Sequence, residues 1–214
     1  MDTAQYELIR DGYQRGCVFC DPHPATLWTS TANFGVCFDV APLVAGHLIV
    51  FSKDHHGCAG ELPPEHLDEL SDVRNEVRDA IRATYGSVTS YEHGRAGHCL
   101  TDGPEHRLCH HFHLHCVPGD NDVADELGPR FRRITLTDYQ TITDVYPEYG
   151  NYLFLENDAG DMSYFVVDRE IERHLLRTLI ANREGHPERA DWRAHASREL
   201  LVTGMRDLAP PVHR

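Results

Sequence analysis

The run Cys109-His110-His111-Phe112-His113-Leu114-His115-Cys116 gathers four of the chain's 16 histidines into eight residues. In a strand, alternate side chains point to one face, so His111, His113 and His115 share a side, with successive members about 7 Å apart. Phe112, Leu114 and Cys116 are left to pack on a core. Three imidazoles in a row are costly unless they are hydrated, bonded or ligated. A neutral imidazole is a competent nucleophile near neutral pH and forms a labile phosphoramidate that water can cleave. Its neighbours can hold its tautomer and donate to phosphate oxygens. The chemistry this row fits is substitution at phosphorus. The plain alternative is an exposed His-rich face or an incidental metal-binding tract.

Two further groups stand out: Cys17-Val18-Phe19-Cys20 and His55-His56. A CxxC alone is a weak signal, a redox pair or a coincidence, and a zinc site needs two more Cys or His ligands. The chain has 7 cysteines, and an odd number leaves a closed disulfide framework with one thiol over. Grouped Cys and His in a reducing compartment more often mean metal or catalysis. With 34 acidic against 20 basic residues, the formal charge is −14, which argues against a broad basic surface for a nucleic-acid polymer. A small cationic pocket for a nucleotide stays compatible with it. No apolar run is long enough for a bilayer, and the start of the chain lacks a signal-peptide pattern. The expectation is a cytoplasmic protein without a membrane partner.

The elements that must carry these groups follow from periodicity. Residues 28–40 are strand-rich, and Gly46-His47-Leu48-Ile49-Val50-Phe51 suits a buried strand. Pro63-Pro64 opens a helix whose stripe is Leu67, Leu70, Val73, Val77 and Ile81, and Gly86 stops it. Residues 87–91 and 111–117 form a strand pair around the histidine row. Residues 152–156 and 162–167 form a hairpin about the turn 157–161. Asp168 is placed as the cap of a helix carrying Ile171, Leu175, Leu176, Leu179 and Ile180, and a last helix covers 197–208. The acidic stretch 120–128 divides a catalytic core, residues 1–120, from an extension, residues 121–214.

The segment His111-Phe112-His113-Leu114-His115-Cys116-Val117 resembles the histidine-triad motif, and Phe38-Asp39-Val40-Ala41-Pro42 with Gly46-His47-Leu48-Ile49-Val50 is similar to that family's two central strands. The likeness spans roughly residues 15–120. It implies an α+β fold, an antiparallel sheet flanked by helices, here with an α/β C-terminal extension. It further implies a nucleotide hydrolase in which His113 attacks the α-phosphorus, with His115 and His111 as its catalytic neighbours. A nucleotidyl-histidine forms, and water releases a nucleoside monophosphate. Asp39 matches the family's ribose-binding acid, suited to accepting two hydrogen bonds. His47 reads as a structural strand histidine. Some members, and the related uridylyltransferases, hold structural Zn²⁺. Matched residue by residue, its ligands here are Cys17, Cys20, His55 and His111, with His56 competing for His55's place. Cys58, Cys109 and Cys116 read as buried thiols.

The chain departs from the family at Leu108, where a small polar residue is usual, and in the loop Tyr91-Glu92-His93-Gly94-Arg95-Ala96-Gly97-His98. His93, Arg95 and His98 are candidate phosphate contacts, against the plain reading of a solvated loop. His110 reads as the start of the strand. The uridylyltransferases end their motif with Gln where His115 stands here, which favours water as acceptor. A transferase or phosphorylase using another acceptor, and a non-catalytic zinc-stabilised nucleotide-binding protein, are the rival readings. Arg130-Phe131-Arg132-Arg133 reads as a solvated linker, or as a patch steering an anion. The extension is expected to shape the leaving-group side of the pocket or the interface of a homodimer.

Overall fold

In the computed structural model, which describes residues 1–13, 17–97 and 111–208, the apolar runs of both halves join one antiparallel sheet. The strands are β1 (Leu27–Ser30), β2 (Phe34–Phe38), β3 (Leu48–Ser52), β4 (Val88–Gly94), β5 (His113–Pro118), β6 (Arg132–Leu136), β7 (Tyr152–Glu156) and β8 (Met162–Val166). Their order is β1-β2-β3-β5-β4-β7-β8-β6. The histidine strand β5 is therefore internal, held by β3 on one edge and β4 on the other. The hairpin of the extension continues the sheet by pairing β7 with β4.

The helices are α1 (Thr3–Tyr13), α2 (Leu67–Tyr85), α3 (Ala124–Leu127), α4 (Ile142–Tyr149), α5 (Leu175–Arg183) and α6 (Arg198–Asp207). Helix α2 buries Leu70, Val73, Val77 and Ile81 in one cluster with Phe112, Leu114 and Cys116. A single tight turn at Pro64–His66 feeds it, and Gly86, at φ 92°, ends it. The other face of the sheet gives Tyr91, Val117, Leu153 and Phe165 to a second cluster with Leu175, Leu176 and Ile180 of α5. The period-two alternation of β5 thus sends its apolar side chains to α2 and its imidazoles to the α5 side. Helix α6, capped by Ser197, reaches the turn before β3 through Gly204. A Cβ there would lie 2.6 Å from the Gly46 nitrogen.

Several expectations need correction. Asp168 caps nothing: it is exposed beside Arg169, and α5 begins only after His174. The buried run Leu175, Leu176, Ile180 starts there, so apolar contact rather than a capping side chain decides where this helix begins. Arg132 and Arg133 are not in a linker but on edge strand β6. The Arg132 guanidinium lies over the Tyr149 ring, and Arg133 Nε donates to Ser163 Oγ at 2.8 Å. Helices α1 and α4 fall where the sequence reading placed no element. Leu108, Cys109, His110 and His98 lie outside the described residues.

Candidate active site

The register sets His113 opposite Phe51, and His115 opposite Ile49 on one side and Tyr91 on the other. The strand proper begins at His113 rather than His111, because the Phe112 N–H donates to the His56 carbonyl rather than along the ladder. His113 Nδ1–H donates to the His111 carbonyl at 2.7 Å, which leaves Nε2 as the nitrogen carrying the lone pair. Phe19, on the knuckle between the two cysteines, stacks on the His113 ring at 4.8 Å. Phe51 packs behind Phe19, over Gly35, where a Cβ would strike its ring at 2.3 Å.

His115 is fixed by a chain of hydrogen bonds. The Leu43 N–H donates to His47 Nδ1 at 3.3 Å, so His47 Nε2–H donates to His115 Nδ1, 2.9 Å away. His115 Nε2 then carries the proton, and Tyr91 stacks on the ring at 4.5 Å. Burial lowers the His47 pKa to about 4 and that of His115 well below its ordinary value, so both stay neutral. His47 is thus more than a strand filler; its place after Gly46 in a buried run was the only sign in the sequence.

Asp39 sits beside this relay. Its Oδ1 accepts from the Ala41 N–H at 2.8 Å, and its Oδ2 accepts from Arg177 Nη1 at 3.0 Å and lies 3.4 Å from His47. Burial alone would raise the Asp39 carboxyl, but the Arg177 guanidinium and the Ala41 amide hold it below its ordinary value. Arg177, from α5, also donates to the Ala41 and Arg189 carbonyls. It ties the extension to the floor of the site.

On the opposite side, Cys17 Sγ and Cys20 Sγ lie 3.4 and 3.6 Å from His111 Nδ1. A tetrahedral zinc with bonds of about 2.3 Å to sulfur and 2.0 Å to nitrogen has sulfur–nitrogen edges of about 3.5 Å. His111 Nε2–H donates to the Ser52 carbonyl at 2.6 Å, which turns the Nδ1 lone pair toward the sulfurs, as a metal-ligating histidine requires. His55 stacks on His111 at 4.7 Å, and donor atoms of Cys17, His55 and His111 all lie within 4.8 Å of one another. His55 rather than His56 joins the group. The donor set fits a soft, four-coordinate cation.

The loop candidates separate. His93 lines the same cavity as the triad, but its Nε2 accepts from the Leu176 N–H at the start of α5. Burial lowers its pKa to about 3. Arg95, at φ 59°, is turned to Glu61 at 2.5 Å and lines a separate cavity with Gly97 and Ile171. The triad cavity, about 170 Å³, runs from Phe19, Cys37 and Ile49 to His174, Trp192 and Arg193 of the extension. His174 is kept neutral by burial, at about 4. Sequence reasoning missed Arg177, His174, Trp192 and Arg193. No spacing links them to the triad, and only folding brings them there.

No protein-family model matches the sequence. The chain is 27% identical over 110 residues to the adenosine 5'-monophosphoramidase hnt1 of Schizosaccharomyces pombe, covering 50% of this chain and 76% of that protein. A zinc-bound histidine triad family protein from Mycobacterium smegmatis shares 25% identity over 61% of this chain and 90% of its own, with a TM-score of 0.36. A HIT family protein from Bacillus anthracis shares 23% over 50% and 77%, with a TM-score of 0.38. The alternating histidines lie on the central strand with the middle ring's Nδ1 bonded to the carbonyl two residues before it. Together with the sequence likeness to hnt1, this arrangement supports the resemblance to the histidine triad family.

Proposed function

We propose that the protein is a nucleotide hydrolase that cleaves a nucleoside 5'-phosphate derivative at the α-phosphorus through a nucleotidyl-His113 intermediate. The observation that carries this reading is the His113 tautomer. With Nδ1–H donated to the His111 carbonyl, the nucleophilic lone pair is on Nε2. That lone pair attacks phosphorus, the bond to the leaving group breaks, and its electron pair departs with the leaving group, which is protonated from water. In the second step a water oxygen attacks phosphorus. The phosphorus–nitrogen bond returns its pair to Nε2, and the water's proton goes to solvent. His115, neutral and donating through Nε2–H, stabilises the charge on the phosphoryl oxygens. Similarity to a monophosphoramidase makes an amine a suitable leaving group.

Cys17, Cys20, His55 and His111 would hold a structural zinc, which binds the start of β5 to the knuckle carrying Phe19. With four protein ligands it has no position for substrate. Asp39 retains lone pairs for ribose hydroxyls beside its Arg177 contact. Among the described residues, no helix is long and apolar enough to cross a membrane. The substrate is read as a small nucleotide, since the charge of −14 disfavours a polymeric one.

The test is mass spectrometry of protein quenched during turnover of adenosine 5'-phosphoramidate and other nucleotide derivatives. A nucleotidyl adduct on His113, absent from His113→Asn together with turnover, is expected. Turnover of His113→Asn near that of the unaltered protein would refute the covalent route.

A further inference from the structure

We infer that His93 is a further catalytic residue, whose Nδ1–H donates to a non-bridging oxygen of the phosphoryl group while its Nε2 holds the first turn of α5. This rests on the hydrolytic reading above and deepens it by naming a second hydrogen-bond donor for the reacting group.

His93 is on β4, the neighbour of the triad strand in the sheet. The ladder between the two strands ends with Tyr91 opposite His115. Two residues further along each strand stand His93 and His113, and alternation puts both rings on the face of Tyr91 and His115. All four side chains line one cavity. A phosphoryl group at His113 thus has His115 beside it along the strand and His93 beside it across the sheet.

The tautomer of His93 is set by α5. The Leu176 N–H donates to His93 Nε2 at 3.2 Å, so the ring proton is on Nδ1. Leu176 is the second residue of α5, and its amide is one of those that find no acceptor within a helix. His174, which precedes the helix, provides no side-chain cap, and His93 provides one from another element. The positive end of the helix then faces Nε2 and opposes a second proton there. Burial, foremost, and the neighbouring His174 and His113 act in the same direction. The ring stays neutral, which makes it a donor of fixed tautomer rather than an acid. An imidazole held in this way polarises an oxygen through its other nitrogen.

Nδ1–H is what the capping duty leaves over. Among the described residues it has no hydrogen-bond partner. A ring that only capped α5 would be satisfied at Nε2 and would gain nothing from lining the cavity. Charge on the phosphoryl oxygens is stabilised best by donors already fixed in place before the reaction. His115 is one such donor, held by His47. His93 is the second, held by a helix.

The experiment separates the two nitrogens in the full chain. An Asn amide matches Nδ1 in reach and falls short of Leu176, whereas a Gln amide matches Nε2 and keeps the acceptor for Leu176. For the unaltered protein, His93→Gln and His93→Asn, we would measure Tm and the single-turnover rate of nucleotidyl-His113 formation from adenosine 5'-phosphoramidate. His93→Gln should keep its Tm yet form the adduct roughly a hundredfold more slowly, the loss of one donor to the reacting group. His93→Asn should lose about 2–4 °C in Tm with the cap, and its rate should fall by less than about tenfold. The assignment stands only if the Gln variant is the slower and the more stable of the two. A Gln variant as fast as the Asn variant, or faster, would make His93 a cap alone and overturn it. If the unaltered protein forms no adduct, the hydrolytic reading fails separately. The dissociation constants of AMP and adenosine then judge His93. A preference for AMP that His93→Gln weakens and His93→Asn keeps supports the phosphoryl contact, and a preference equal in the Gln variant and the unaltered protein refutes it.

Discussion

The two ends of the triad are held by unlike devices. At the His111 end, the partners are Cys17 and Cys20 from the start of the chain and His55 from the turn after β3. They are neutral or anionic donors, and His55 and Cys20 are exposed. At the His115 end, the partners are His47, Asp39 and Arg177, joined by hydrogen bonds and a buried ion pair. One end asks for a cation from outside; the other supplies its own. His113 sits between them, bonded to the His111 backbone and in ring contact with His115. Its position should therefore respond to damage at either end, but through different observables.

The largest effect is expected at the metal end. Binding energy at a four-ligand zinc site is largely folding energy, so Cys17→Ser with Cys20→Ser should lower Tm by roughly 15 °C or more. Zinc should fall from about one per chain to none, as expected for a four-ligand site, and a strong chelator should reproduce the Tm of the double variant. Excess zinc should not accelerate the unaltered protein. A metal-free preparation of full stability would remove this end from the comparison and leave the nucleophile untouched.

The relay end should break by a smaller amount and without loss of metal. Arg177→Met keeps the length of the side chain but strands Asp39 as a buried charge, which costs about 3–5 kcal/mol, or roughly 10 °C in Tm for a chain of this size. Zinc content should stay as in the unaltered protein. Adding Asp39→Asn should restore part of the loss, since the orphaned charge is then gone. If Arg177→Met lost zinc as well, the two ends would be one unit and the comparison would collapse.

How far each end was legible follows from the same contrast. The candidate metal donors sit in short spacings: two cysteines three apart, adjacent histidines, and a row of period two whose apolar members face α2. Period and spacing survive in a sequence because they are local. Arg177 lies 138 residues from Asp39, and nothing near either residue marks the pair. The same holds for Trp192 and Arg193, which reach the cavity only because β7 continues the sheet from β4 and brings the rest of the extension after it. Edge strand β6 was obscured for another reason. Its arginines lie on aromatic rings of α4 and β8, so a charged run conceals side chains that pack through their stems. Asp168 misled because a good capping residue was present while the apolar run that decides the helix began seven residues later, at Leu175.

Acid should distinguish the ends by the smallest effect, and its sign follows from the protons bound. His47, His93 and His174 are held by burial at about 4, 3 and 4, against an ordinary value of 6.5. Between pH 6.5 and about 4 the unfolded chain therefore binds protons that the folded chain refuses, and stability falls as pH falls. Each group contributes at most about 1.4 kcal/mol per pH unit. Glu92 opposes them: burial raises its carboxyl to about 7 from 4.5, although the Ala59 N–H and two tyrosine hydroxyls favour the charged form. Between 4.5 and 7 the folded chain holds a proton on Glu92 that the unfolded chain lacks, so that group alone loses stability as pH rises. His115, which burial also holds well below its ordinary value, acts in the same direction, so four histidines outweigh one glutamate, and the expected Tm rises from pH 4.5 to 6.5 and flattens near 7. Protons also compete with zinc at the cysteines, so the measurement belongs in the Cys17→Ser, Cys20→Ser double variant, where that competition is absent. There the slope should persist, and adding His174→Asn should flatten it by about a third, one of the net three contributions left after Glu92 offsets one of the four histidines. A Tm independent of pH in that background would mean that the acid response comes from the metal end alone.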